Sequence, residues 1–309
     1  MVVCCALAAT KPARAVAPEV LRSVVSVLPT WPGRGEGGAP ALPPGQEPEG
    51  TAVAVAPGGY LATALHVIAP AESITVRLSD GRLRAAELVG RDGPTDLALL
   101  KIEDDLPVLP WAGTPALASP VCAIGNQFGL DLSVTCGVVS AVARSGVGFN
   151  PIEDFIQTDA TVNPGASGGA LVDREGRLVG LLSAIFTKDS DADIGVNFAV
   201  SATLVRRVVE DLIAHGRVIR GRSGLRVADL SREARFEQAG ARVLSVKPGG
   251  AAEQAGLQPG DIVTAIAGRT IRRASDVTSA TQLHRPGDRL PLTVRRGAET
   301  LELELVLGR

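Results

Sequence analysis

The sequence predicts a mostly β chain in two units: an all-β barrel or sandwich, then a smaller unit of mixed strands and short helices. Three observations predict it. From residue 51 to residue 200, short apolar runs alternate with D-G, G-G and E-G turn signals, the spacing of a barrel or sandwich with strands enough for two small barrels. One stretch of helical period, residues 201–215, breaks that series. Beyond it, apolar runs resume with helical turns between them. A length of 309 residues also exceeds what one ordinary core organises.

The elements follow in order. Residues 20–28 (VLRSVVSVL) read as a first strand, and residues 29–50, dense in Pro and Gly, as a long surface loop. Trp31 lies in that loop, and its role stands open between a contact between copies and a cover over a barrel end. The runs TAVAVA, YLATALHVI, SITVRL, AAELVGRD and LALLKI come next, then PVCAIG, SVTCGVVSAVA, DFIQTDA, GALVD, LVGLLSAIF and GVNFAV. In 201–215, Leu204, Val205, Val208, Val209, Leu212 and Ile213 recur at helical spacing, with Ser201 as N-cap and Gly216 as the stop. A basic linker, GRVIRGR, leads to a second unit beginning near Gly221.

Composition excludes several classes. Hydrophobic residues are 45% of the chain but aromatics only 3%, so Val, Leu, Ile and Ala must fill the cores. A net charge of −2 with interspersed signs lacks the basic footprint of a nucleic-acid binder. No stretch reaches the ~18 apolar residues of a membrane-spanning helix. Residues 2–9 (VVCCALAA) followed by Ala13-Arg14-Ala15 have the order of an export leader without its basic start, and export is the expectation. Cys4 and Cys5 fall in that leader. Cys122 and Cys136 sit in apolar runs and read as buried free thiols rather than a disulfide.

The chemistry is located by elimination among three histidines. His215 and His284 end helical stretches, where an imidazole favours the last carbonyls. His66 falls inside LATALHVIAP, where a polar ring needs a partner; a satisfied core histidine is the competing reading. Asn163-Pro164-Gly165-Ala166-Ser167-Gly168-Gly169 gives His66 a purpose. A nucleophilic serine needs a tight turn whose backbone N–H groups converge on a developing oxyanion, and glycines permit that backbone. The candidate donors belong to Gly165, Ala166 and Ser167, those of Gly165 and Ser167 foremost. Asp96 leads directly into DLALLKI and is the candidate to orient the imidazole, whereas Asp92 fits a turn-initiating role. The order His66, Asp96, Ser167 is that of chymotrypsin-type enzymes.

Residues 51–200 resemble the protease domain of the HtrA/Deg family, in YLATALHVI, DLALLKI, AIGNQFGL, FIQTDATVNPGASGGALV and GVNFAV. The resemblance implies a chymotrypsin-like double six-stranded β-barrel with the cleft between the barrels, His66 and Asp96 coming from the first and Ser167 from the second. It further implies that Ser183, Ala184 and Ile185 pair with substrate backbone, and that the loops 144–153 and 186–195 gate activity. Small aliphatic residues at P1 and a homotrimer built through the N-terminal segment belong to the same implication. This chain departs from the family at Ala166, usually Asn, at Gln127, where Pro is preferred, and at Asn197, often Gly, near the expected S1 wall.

The run VLSVKPGGAAEQAGLQPGDIVTAIAGRTI resembles the PDZ domain attached to HtrA proteases. A PDZ domain takes an extended C-terminal peptide as an added strand. Here Arg222, Ser223, Gly224 and Leu225 match its carboxylate loop. The expected organisation is a leader over 1–15, a protease domain over 16–205, the helix end and linker over 206–220, and a PDZ domain over 221–309. The function implied is a serine endopeptidase acting on unfolded or damaged exported, periplasmic proteins, with no metal or organic cofactor. Two alternatives stand beside it: a signalling protease for one membrane-bound regulator, and a non-proteolytic PDZ chaperone or binding protein.

Overall fold

The computed structural model of the protein describes residues 17–30, 49–69, 71–185 and 195–309. The expectations for the leader, Cys4, Cys5, Trp31 and residues 186–194 lie outside the described residues.

The first barrel is built from β1 (Val24–Thr30), β2 (Gly50–Ala56), β3 (Tyr60–Ala64), β4 (Ser73–Arg77), β5 (Leu83–Asp92) and β6 (Leu97–Lys101). It closes in the order β1-β2-β3-β6-β5-β4. The second comprises β7 (Pro120–Gly125), β8 (Ser133–Arg144), β9 (Phe155–Thr158), β10 (Ala170–Asp173), β11 (Leu178–Ile185) and β12 (Asn197–Ser201). It closes as β10-β11-β12-β9-β8-β7.

β2, β3 and β6 are largely apolar because both their faces are covered. Along β1 and β2, Val25, Val27, Ala52 and Ala54 fill the first barrel. Their neighbours Val24, Val53 and Val55 join a second layer that draws on both barrels through Leu97, Leu99, Ile124, Val172 and Leu181. Alternating Cβ directions send successive residues to the two layers.

The expected first strand begins later than its apolar run. Pro18–Leu21 form one helical turn, α1, with proline in its first turn where a missing N–H costs nothing, and β1 starts only at Val24. A second short helix, α2 (Leu65–Ile68), follows β3 directly. The long helix α3 (Ala202–His215) matches its sequence signature: the Ser201 hydroxyl accepts from Leu204 N–H, and Gly216 caps the other end at φ 65°. Its stripe of Leu204, Val205, Val208, Val209 and Leu212 is buried in the shared layer, while Ile213 stays 39% exposed.

Cys122 and Cys136 correct the free-thiol reading, because they form a disulfide. They stand directly opposite each other across β7 and β8. Each cysteine looks buried within its own apolar run, and only the pairing of the two strands makes them neighbours. Cys136 is in fact exposed.

The second unit is a six-stranded sheet of β13 (Leu225–Asp229), β14 (Ala241–Val246), β15 (Ile262–Ile266), β16 (Arg269–Thr270), β17 (Arg289–Arg296) and β18 (Glu299–Val306). Helices α4 (Ala234–Glu237), α5 (Ala251–Gln254) and α6 (Ala274–Gln282) accompany it. Its core gathers Val243, Leu257, Val263, Ile266, Val277, Leu292 and Leu305. In the order β13-β14-β15-β17-β18, β13 is an edge strand.

Polar contacts dock this sheet on the barrels. Asp154, 4% exposed, accepts from the Ser201 hydroxyl at 2.5 Å, from the Arg269 guanidinium and from the Ser279 hydroxyl. Ser145 donates to Asp276 at 2.6 Å, and Arg285 reaches Asp211 and Glu210 on α3. The linker is held as well. Arg220 pairs with buried Asp92, which also accepts from the Thr95 hydroxyl, so Asp92 serves structure, as its turn reading expects.

Candidate active site

His66 sits in α2, one residue after the strand β3 hands over to that turn. A 3-10 turn, Gly93–Thr95, ends at Asp96 in the left-handed region (φ 56°, ψ 38°), a conformation that aspartate tolerates better than most residues. From there Asp96 grips the His66 turn three times. Its carbonyl accepts from Leu65 N–H at 2.9 Å. Its Oδ1 accepts from His66 N–H at 2.9 Å, and its Oδ2 lies 2.5 Å from His66 Nδ1. A carboxylate only accepts, so Nδ1 carries the ring proton and Nε2 is left as the basic nitrogen. The carboxylate is largely covered (side chain 16% exposed) while the ring is half open at 50%.

Ser167 lies on the turn between β9 and β10, and Thr51 of β2 ties that turn to the first barrel. Thr51 N–H donates to the Ser167 carbonyl at 2.9 Å. The Thr51 hydroxyl donates to Gly165 O at 2.8 Å and accepts from Asn126 N–H at 2.9 Å. Gly168 makes the closest approach of all. A Cβ there would lie 2.0 Å from Thr51 O, 2.4 Å from Thr63 Oγ1 and 3.0 Å from Ala64 N. The Ser167 turn therefore abuts the end of β3, two residues before His66. No hydrogen bond joins the imidazole to Ser167; the Ser167 hydroxyl donates instead to Ser183 O at 3.4 Å.

Three N–H groups were candidate oxyanion donors. That of Ala166 donates to Asn163 O at 3.1 Å and is spent inside the turn. Those of Gly165 and Ser167 make no such bond. Gly165 is at φ +92°, and a Cβ there would lie 2.2 Å from Asn126 O, so no other residue fits.

Among the described residues, no strand pairs with the Ser167 side of β11 beyond Leu182. β10 ends its pairing at Ala170 with Leu181; beyond it Gly168 N–H donates to Leu182 O at 2.7 Å and Leu182 N–H donates to Gly169 O at 2.8 Å. Ser183 forms the bulge between Leu182 and Ala184, and Ala184 and Ile185 pair on the other side with Phe198 and Asn197 of β12. Asn197 is fully buried, and its side-chain amide donates to Ala160 O at 2.9 Å. The loop at 144–153 is organised by Glu153, whose carboxylate accepts from the N–H groups of Val147, Gly148, Phe149 and Asn150.

In the second unit, Arg222 exchanges backbone hydrogen bonds with Gly308, and Gly224 turns left-handed at φ 73°. Leu225 N–H donates to the Ser223 hydroxyl at 3.2 Å and opens the edge strand β13. A cleft beside β13 is walled by Val227, by Ala274, Ser275 and Thr278 of α6, and by the loop residues Gly146 and Gly148.

Sequence reasoning missed Thr51. An isolated threonine at the start of an apolar strand carries no local sign that it spans two barrels.

Residues 50–181 match the trypsin-like peptidase domain family, and residues 192–307 match the PDZ domain family. The probable periplasmic serine endoprotease DegP-like of Chlamydia trachomatis is 38% identical over 266 residues, 84% of this chain and 53% of the relative. The periplasmic pH-dependent serine endoprotease DegQ of Escherichia coli is 36% identical over 258 residues, 81% of this chain and 56% of the relative. The chain thus spans about half the length of the curated relatives it matches. Among solved structures, the HtrA-type protease AlgW with tripeptide superposes with a TM-score of 0.71 at 37% identity, covering 96% of this chain and 94% of that one. The serine endoprotease from Yersinia pestis gives 0.60 at 33% identity, covering 94% and 96%. This chain belongs to the HtrA-type protease family.

Proposed function

We propose that the protein is an exported, periplasmic serine endopeptidase that cleaves unfolded or damaged polypeptides, with His66, Asp96 and Ser167 as its triad. The observation that carries the reading is the pair of hydrogen bonds that His66 donates to Asp96, which leaves Nε2 basic beside the Ser167 turn. Substrate extends along the edge of Ser183–Ile185 that no described strand pairs, presenting a small aliphatic side chain to a pocket whose wall Asn197 stiffens. Ser167 Oγ attacks the scissile carbonyl while Nε2 takes its proton, and the imidazolium formed is stabilised by Asp96. The carbonyl oxygen, now negative, is received by the N–H groups of Gly165 and Ser167. Nε2 returns the proton to the departing amine, and water then cleaves the acyl-enzyme by the same route. No metal or organic cofactor enters these steps.

The organisation that supports this reading is a protease domain over 16–205, a linker over 206–220 and a PDZ domain over 221–309. In the last, a C-terminal peptide adds to the open edge of β13, its carboxylate held by the Arg222–Leu225 loop. A homotrimer formed through the N-terminal segment completes the proposal. Casein hydrolysis tests the central part: Ser167→Ala abolishes it, and cleavage at the wild-type rate by that variant refutes the triad.

A further inference from the structure

The loop between β7 and β8 is zipped to the turn that carries Ser167. Gln127 is 7% exposed, and its side-chain carbonyl accepts from the Asn163 amide at 2.7 Å. One residue on, Phe128 N–H donates to Pro164 O at 2.7 Å. In a planar trans peptide the carbonyl and the following N–H point opposite ways. Holding Pro164 O toward Phe128 therefore directs Gly165 N–H away from that loop. Asn163 is the first residue of the same turn, its carbonyl accepting from Ala166 N–H at 3.1 Å. The turn has no internal side-chain brace at Ala166, a methyl group that is 1% exposed.

We infer that Gln127 is a positioning residue for the oxyanion turn, acting through Asn163 to keep Gly165 N–H aimed at the developing negative charge. The inference rests on the reading of Ser167 as nucleophile. Such a brace matters to the transition state more than to the resting substrate complex, so its loss falls on kcat and not on KM.

The test is a set of variants assayed on a chromogenic peptide, at a temperature where circular dichroism shows each one folded. Gln127→Leu removes the acceptor and lowers kcat roughly tenfold with KM within about twofold, the scale of one buried hydrogen bond with its orphaned partner. Gln127→Glu keeps an acceptor, and in Asn163→Asp the Gln127 amide rotates to donate, so each single change keeps kcat within about threefold. Together they set two carboxylates face to face, and the double variant falls roughly tenfold or more below the product of the singles. A double variant equal to that product, or a Gln127→Glu loss as large as that of Gln127→Leu, overturns the inference. Ser167→Ala run alongside separates the two readings. If it stays active the nucleophile reading fails; if it is dead and no coupling appears, only the role of Gln127 fails.

Discussion

Asp96 holds His66 by both carboxylate oxygens, one on the backbone N–H at 2.9 Å and one on Nδ1 at 2.5 Å. The pair fixes the position of the turn and the tautomer of the ring together. Asp96→Asn presents an amide that can donate to Nδ1 and so favours the wrong tautomer. The expected result is a kcat drop of about 10⁴ with the fold intact, the size seen where this exchange leaves geometry unchanged. Steady-state kinetics with a circular dichroism control checks it, and a loss below tenfold would remove Asp96 from the triad.

At Gly168 the Ser167 turn comes up against β2 and the end of β3. Gly168→Ala pushes a methyl into Thr51 O and Thr63 Oγ1 at a residue with φ +83°. Overpacking of this kind costs about 1–3 kcal/mol, and the positive φ adds to it. Denaturant unfolding is expected to show at least about 2 kcal/mol of destabilisation. Peptidase activity should fall further than stability explains, because the clash displaces Ser167.

The Cys122–Cys136 disulfide closes a loop of sequence separation 14. Loop closure of that length stabilises by about 3 kcal/mol in the chain-entropy account. Reduction by dithiothreitol, or the Cys122→Ser/Cys136→Ser pair, should lower the thermal midpoint. An unchanged midpoint would mean that the closed loop contributes nothing.

Acid sensitivity follows from two buried carboxylates. Burial alone would raise Asp211, but Ile219 N–H, Arg207 and Arg285 outweigh it and hold its pKa below the ordinary aspartate value. Asp261 is likewise raised by burial, then lowered further by Arg296 and Gln258 N–H. A folded-state pKa below the unfolded one gives stability that is full above the unfolded value, about pH 4, and is lost as the pH falls through the folded value. Unfolding free energy should therefore decline as the pH falls below about 4, with a shallower slope in Asp211→Asn. An equal slope in that variant would exclude Asp211 as a source.

Local signals carried much of this architecture. The helix over 202–215 was legible because Ser201, the apolar stripe and Gly216 all act within a few residues. The β runs and the glycines around Ser167 were legible for the same reason. What sequence alone could not supply were meetings between distant strands. Cys122 and Cys136 are paired by the β7–β8 register, and Thr51 joins Asn126 and Gly165 across 75 and 114 positions. The left-handed backbone at Asp96 was also invisible, although it is what lets one residue bond Leu65 and His66 at once. Ala166 counted as an oxyanion donor by position, and only the Asn163–Ala166 turn shows its N–H to be taken.

The most direct measurement is mass-spectrometric mapping of a fluorophosphonate adduct on the intact protein. The account predicts a single adduct on Ser167, slowed by orders of magnitude in His66→Ala. An adduct on another serine, or equal labelling of Ser167 with and without the imidazole, would contradict it.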